Sequence, residues 1–98
     1  MFGLSESVIS ELNNIFRKYP AIDEVVIFGS RAKGNFTNGS DIDLAVKGGI
    51  TSDDILKINL DLEDVELLYK VDVISYNEKI GTPIGRHIDR VSKVFYKK

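Results

Sequence analysis

A chain of 98 residues is long enough for one folded domain and too short for two, so a single core must carry both the fold and any chemistry. A hydrophobic share of 43% suits such a core and argues against intrinsic disorder, while a net charge of −2, with Lys and Arg interspersed among Asp and Glu, lacks the basic stripe that grips nucleic-acid phosphates. The absence of cysteine excludes disulfides, thiolate catalysis and sulfur-bound metals; residues 1–10 hold no basic stretch leading into an apolar block, and no apolar run nears the roughly 20 residues of a membrane span, so a soluble cytoplasmic protein is expected.

The segment from about Ser5 to Lys18 places Val8, Ile9, Leu12, Ile15 and Phe16 at helical spacing and reads as an amphipathic helix. Tyr19-Pro20 ends it, because proline disfavours helical geometry in the residue before it. Glu24-Val25-Val26-Ile27-Phe28 is a short β-branched run, expected as a buried strand. Gly29-Ser30 breaks that strand, Arg31-Ala32-Lys33 suits a short helix, and residues 34–40 form a polar loop. Asp41-Ile42-Asp43-Leu44-Ala45-Val46 alternates as a second strand. After Gly48-Gly49, Thr51, Ser52 or Asp53 caps a helix with Ile55, Ile58, Leu62 and Val65 on its apolar face. Its other face, Asp61, Glu63, Asp64 and Glu66, reads as solvated. Val71-Asp72-Val73-Ile74 is a third strand, and a last helix starts near Pro83, continues through Ile84, Ile88 and Val91 and gives way to Lys93-Val94-Phe95-Tyr96. Strands alternating with helices define an α/β or α+β fold, a small sheet covered by helices, in one domain over residues 1–98.

Three acids stand out. Side chains two apart on a strand share a face, so Asp41 and Asp43 point together while Ile42 and Leu44 pack inward, and an adjacent third strand would bring Asp72 beside them. Converging carboxylates repel unless a cation neutralises them, and hard oxygen ligands suit magnesium or manganese. Two such ions clamp the attacking and leaving oxygens of a phosphoryl-type displacement, leaving one carboxylate, Asp72, to take a proton from an incoming hydroxyl. Asp72 lies in a strand apolar enough to be largely buried, where an unpaired charge is costly. Gly29-Ser30 places a residue without a side chain and then a hydroxyl at a helix start, a combination that favours phosphate; Arg31 and Lys33 add positive charge nearby, although a short exposed helix would carry them anyway.

Other residues have ordinary readings. His87, beside Arg86, Asp89 and Arg90, reads as a surface residue, and Phe36, Tyr69, Tyr76, Phe95 and Tyr96 as core or interface.

Taken together, Gly29-Ser30-Arg31-Ala32-Lys33-Gly34, Ser40-Asp41-Ile42-Asp43-Leu44 and Val71-Asp72-Val73 closely resemble the DNA polymerase β-like nucleotidyltransferase superfamily, and the short length matches its minimal nucleotidyltransferase (MNT) family. The resemblance implies a mixed sheet flanked by helices, with Asp41, Asp43 and Asp72 as catalytic and metal-binding residues around two Mg2+ ions, Mn2+ being the alternative. It places Gly29, Ser30, Arg31 and Ser40 on the nucleotide, with ATP as substrate. It further implies AMP transfer to a tyrosine of a HEPN-family ribonuclease, this chain being the antitoxin half of the pair. The alternatives are a non-catalytic nucleotide-binding module that inhibits a HEPN partner by covering it, and modification of a small hydroxylated molecule such as an aminoglycoside. A chain this short covers little of a triphosphate and an acceptor by itself, so a partner chain or a homo-oligomer is expected, with Val94, Phe95 and Tyr96 available to an interface.

Overall fold

Helix α1, Glu6–Arg17, starts at Ser5, whose hydroxyl accepts the Val8 amide at 3.3 Å, and buries Leu12, Ile15 and Phe16 along one stripe. Residues 2–37, 39–65, 67 and 69–98 are described by a computed structural model; the expected loop residue Asn38 and acidic-face residue Glu66 lie outside them. Strand β1, Ile22–Phe28, leads through Gly29 into the single turn α2, Ser30–Lys33. Strand β2, Ile42–Gly48, is followed by α3, Ser52–Asp64. Thr51 caps α3 in a reciprocal box with Asp54, satisfying two otherwise orphaned donors. Strand β3, Val71–Ser75, a short 3-10 turn at Asn77–Lys79, helix α4, Pro83–Val91, and strand β4, Lys93–Lys97, complete the chain.

The sheet order is β3-β2-β1-β4, with β2 and β3 parallel and the other pairs antiparallel. A parallel pair needs a crossover connection, and α3 supplies it. Alternation sorts the strand residues onto two faces. Ile22, Val25, Ile27, Ile42, Leu44, Val46 and Val73 pack under α1 and α3. Val26, Phe28 and Ala45 pack with Ile88 of α4 on the opposite face, joined by Ile74, Tyr76 and Val91.

Three sequence expectations change here. The segment after the last helix is an edge strand: Phe95 packs edge-on against Phe16, ring centroids 6.4 Å apart, and Tyr96 lies 5.8 Å from the same ring. Phe95 is buried in the core and Tyr96 is half-buried against it, and Val94 alone of the expected interface trio is exposed. The acidic face of α3 is not wholly solvated either, because Asp61 accepts the Tyr19 hydroxyl at 2.6 Å and pairs with Lys18 at 3.4 Å. That bond lowers the Asp61 pKa, while burial and the bond to Asp61 push Tyr19 up to about 12.

The third change concerns Arg31. It is 2% exposed, and its guanidinium donates to the Ser40 carbonyl through Nε at 3.2 Å and Nη2 at 2.9 Å, and to the Phe2 carbonyl at 2.9 Å. It lies 5.0 Å from the Phe36 ring centroid and 4.9 Å from that of Tyr69. Arg31 is therefore not an exposed cation of a surface helix: it braces the loop that delivers the chain into β2.

Candidate active site

Sheet register builds the site. Phe28, the last residue of β1, stands opposite Asp43 of β2, and Asp43 stands beside Asp72 of β3. These three side chains form one row across three strands, on the face that carries α4. Each acid follows the alternation that puts Ile42, Leu44 and Val73 in the core beneath α1 and α3. The expectation that Asp43 and Asp72 are brought together holds. Asp72 is half-buried rather than largely buried, because β3 is an edge strand with a cleft beside it.

Above the row lies a cleft of about 700 Å3 lined by Phe28, Gly29, Asp43, Asp72, Ile84 and His87, among others. Asn59 closes one side, reaching from α3 to donate to the Val73 carbonyl at 3.4 Å while also holding the Ile55 carbonyl at 3.0 Å. A second depression of about 680 Å3, lined by Glu63, Leu67, Tyr69 and Lys70, shares Asn59 and Asp72 with the first. Asp72 is thus accessible from two directions.

Gly29 is required where it stands. Its φ of +76° belongs to the region that favours glycine, and a Cβ there would come within 2.5 Å of Asp43 Oδ2. The turn that breaks β1 therefore lies directly against the Asp43 carboxylate, with Ser30 half-buried at the start of α2.

The electrostatics match this crowding. Burial raises the Asp43 pKa most, the charges of Asp72 and then Asp41 raise it further, and His87 and Lys70 pull it down. A carboxylate pair in this state has the chemistry of a hard divalent-cation site: oxygen donors, excess negative charge and a cleft that admits an ion. Of the three expected acids, Asp43 and Asp72 stand side by side. Asp41, one residue before β2, is exposed, and among the described residues no three His, Asp or Glu side chains are gathered in metal-holding geometry. A third ligand from Asp41 requires its side chain to swing toward Asp43.

The expected nucleotide residues divide. Gly29 lines the cleft, and Ser30 adjoins it in sequence. Arg31 and Ser40 do not line it. The Ser40 hydroxyl accepts the Thr37 amide at 2.9 Å and its carbonyl holds Arg31, so both residues fix the approach to Asp41 and Asp43. Two lining residues escaped the sequence reading. His87 points into the cleft with its ring edge-on to Phe28, centroids 6.3 Å apart, and Asn59 closes the open edge of β3. The i to i+3 spacing from Ile84 to His87 on an otherwise amphipathic helix was the available signal for the first.

A glycine turn at the end of one strand packs against the Asp43 carboxylate on the next, which stands beside Asp72 on the third strand of a mixed sheet. The chain belongs to the polymerase β nucleotidyltransferase family, whose model, "Polymerase beta, Nucleotidyltransferase", matches residues 10–98. It is a nucleotidyltransferase, and an enzyme by that membership. It is 28% identical over 102 residues to Putative protein adenylyltransferase MJ0604 of Methanocaldococcus jannaschii, covering 93% of this chain and 97% of that one. Among solved structures, a toxin–antitoxin crystal structure with AMP-PNP superposes with a TM-score of 0.72 at 19% identity, over 92% of this chain and 73% of that one. A mutant of the toxin–antitoxin MntA-HpeT gives 0.68 at 18% identity, over 97% and 75%. These structural likenesses share the fold. Among the described residues no helix is long and apolar enough to cross a membrane.

Proposed function

We propose that this chain transfers AMP from ATP to a protein hydroxyl, a tyrosine of a HEPN-family ribonuclease, and thereby acts as the antitoxin of a two-protein system. Residues 1–98 act as one catalytic domain. The observation that carries the reading is the position of Asp72, beside Asp43 in the first cleft and in the wall of the second depression. A triphosphate laid against Gly29 and Ser30 brings its α-phosphorus to the aspartate row, and an acceptor hydroxyl entering along the second depression meets Asp72. The new bond joins the acceptor oxygen to the α-phosphorus, the bond to the β-phosphate oxygen breaks, pyrophosphate leaves, and Asp72 receives the hydroxyl proton.

Asp43 and Asp72, with Asp41 once turned inward, would hold Mg2+ or Mn2+. The bound ion would supply charge neutralisation at the α-phosphate and at the leaving oxygen. Asn59 keeps the edge of β3 in position, and Arg31 with Ser40 keeps the start of β2 in register. Similarity along nearly the whole length of a relative named for protein adenylyl transfer supports a protein acceptor, and the toxin–antitoxin neighbours support a toxin as that acceptor.

The test uses ATP labelled at the α- or the γ-phosphate, the purified chain, Mg2+ and the protein encoded beside it. Label is expected on the partner from the α-position only, and is lost with Asp43→Asn and Asp72→Asn. Transfer of γ-label, or α-label undiminished in both variants, contradicts the proposal.

A further inference from the structure

His87 reads from sequence as one more charged-face residue of the last helix, yet the fold turns it into the cleft. Its location there is specific. The imidazole sits edge-on to Phe28, whose next residues are the Gly29-Ser30 turn, and Gly29 lines the same cleft. His87 therefore stands at the Phe28 end of the aspartate row, in the cleft that Gly29 also lines.

The charges around it narrow its role. Among the described residues that line the cleft, Asp43 and Asp72 carry negative charge and His87 is the side chain that can carry a positive one. Arg31 is turned to the Ser40 and Phe2 carbonyls, and Lys70 lines the neighbouring depression. A triphosphate entering beside two carboxylates needs donors and positive charge aimed at its oxygens. None of the described residues hydrogen-bonds to either ring nitrogen of His87, so both remain available to a ligand.

The helix that carries His87 is held rigidly, as a preorganised binding group requires. The Thr82 hydroxyl accepts the Gly85 amide at 3.1 Å, and Pro83 begins the helix. Gly85 lets α4 approach the Lys79 carbonyl, which a Cβ would meet at 2.0 Å. Ile88, the next residue along from His87, is fully buried, and Asp89 accepts a hydrogen bond from the Tyr76 hydroxyl at the end of β3.

We propose that His87 is a nucleotide-binding residue whose imidazole N–H contacts the β- and γ-phosphates of the bound triphosphate and, after transfer, the departing pyrophosphate. This rests on the nucleotidyl-transfer reading of the cleft and is independent of which acceptor the enzyme uses. Because the contact is to phosphates that AMP lacks, His87 discriminates ATP from AMP.

Calorimetric titration of the full chain with ATP and with AMP, each with Mg2+, tests it on wild type, His87→Gln and His87→Lys, with thermal melts to confirm folding. His87→Gln is expected to weaken ATP about tenfold, the usual worth of one charge-assisted hydrogen bond, and to leave AMP within about twofold. His87→Lys is expected to recover most of the ATP affinity, which a packing role would not. ATP binding unchanged in His87→Gln, or ATP and AMP weakened equally, overturns the proposal while leaving the proposed transfer reaction intact. Wild type that binds neither nucleotide overturns both.

Discussion

Replacing Asp43 by asparagine should stabilise the metal-free fold while abolishing transfer. Asp43 and Asp72 are register partners on parallel strands, and adjacent strands lie about 4.8 Å apart. At an effective dielectric constant near 20, two carboxylates at that separation repel by about 3 kcal/mol. The cleft is open to water on one side, so screening leaves ~1 kcal/mol as the expected gain on removing one charge. For a domain of this size that corresponds to a rise in Tm of about 4–8 °C. The sign follows from the raised pKa of Asp43, for which burial is the first cause and Asp72 the second. The folded state favours the protonated acid, so wild-type stability is lost as pH rises through the folded pKa and is retained below the ordinary aspartate value of about 3.9. Melts in EDTA should therefore show Asp43→Asn above wild type at pH 8, with the gap closing as pH falls to the acid side of that value. Adding Mg2+ should raise wild type and raise the variant less. An Asp43→Asn variant that melts at or below wild type in EDTA at pH 8 would refute the electrostatic reasoning.

Gly29→Ala should destabilise by about 1–2 kcal/mol and displace the Asp43 carboxylate, seen as a lower Tm together with weakened Mg2+-dependent ATP binding. Arg31→Met should cost about 2–4 kcal/mol in denaturant unfolding, because the Ser40 and Phe2 carbonyls lose a charged donor, while the folded fraction keeps its ATP affinity; a selective loss of affinity would return Arg31 to the nucleotide. Tyr19→Phe should cost about 1–2 kcal/mol at pH 7. Because Tyr19 holds the Asp61 pKa down, the wild-type advantage is present above the unfolded aspartate value and shrinks as pH falls through the lowered folded value, measurable as converging melts in acid.

Elements with strong local signals were legible in the sequence. Ser5 and Thr51 cap the helices where hydroxyls precede an apolar period, and Pro83 opens α4 as its fixed φ allows. The strand bearing Asp43 was visible because its alternation is clean. Residues 93–97 were harder, since a strand of five residues with one fully inward aromatic, Phe95, looks like any apolar tail until β1 is there to pair with it. The pairing of Asp43 with Asp72 was legible as soon as two acids were read on neighbouring strands. The side chains that α3 and α4 deliver were not. Asn59 is set by how α3 sits against the sheet, which no local pattern encodes, and the one local trace of His87 was its i to i+3 spacing from Ile84. Arg31 misled for the opposite reason: a cation beside a glycine turn suggests phosphate, but burial and two backbone carbonyls claim it.

Transfer of an adenylyl group to a protein partner is tested most directly by intact mass. The purified chain, the protein encoded beside it, Mg2+ and ATP are mixed and each mass recorded, in parallel with Asp43→Asn. A gain of one or more adenylyl groups on the partner, absent with the variant, is the expected result. A partner of unchanged mass in a stable complex with the wild-type chain would contradict catalysis and leave inhibition by binding in its place.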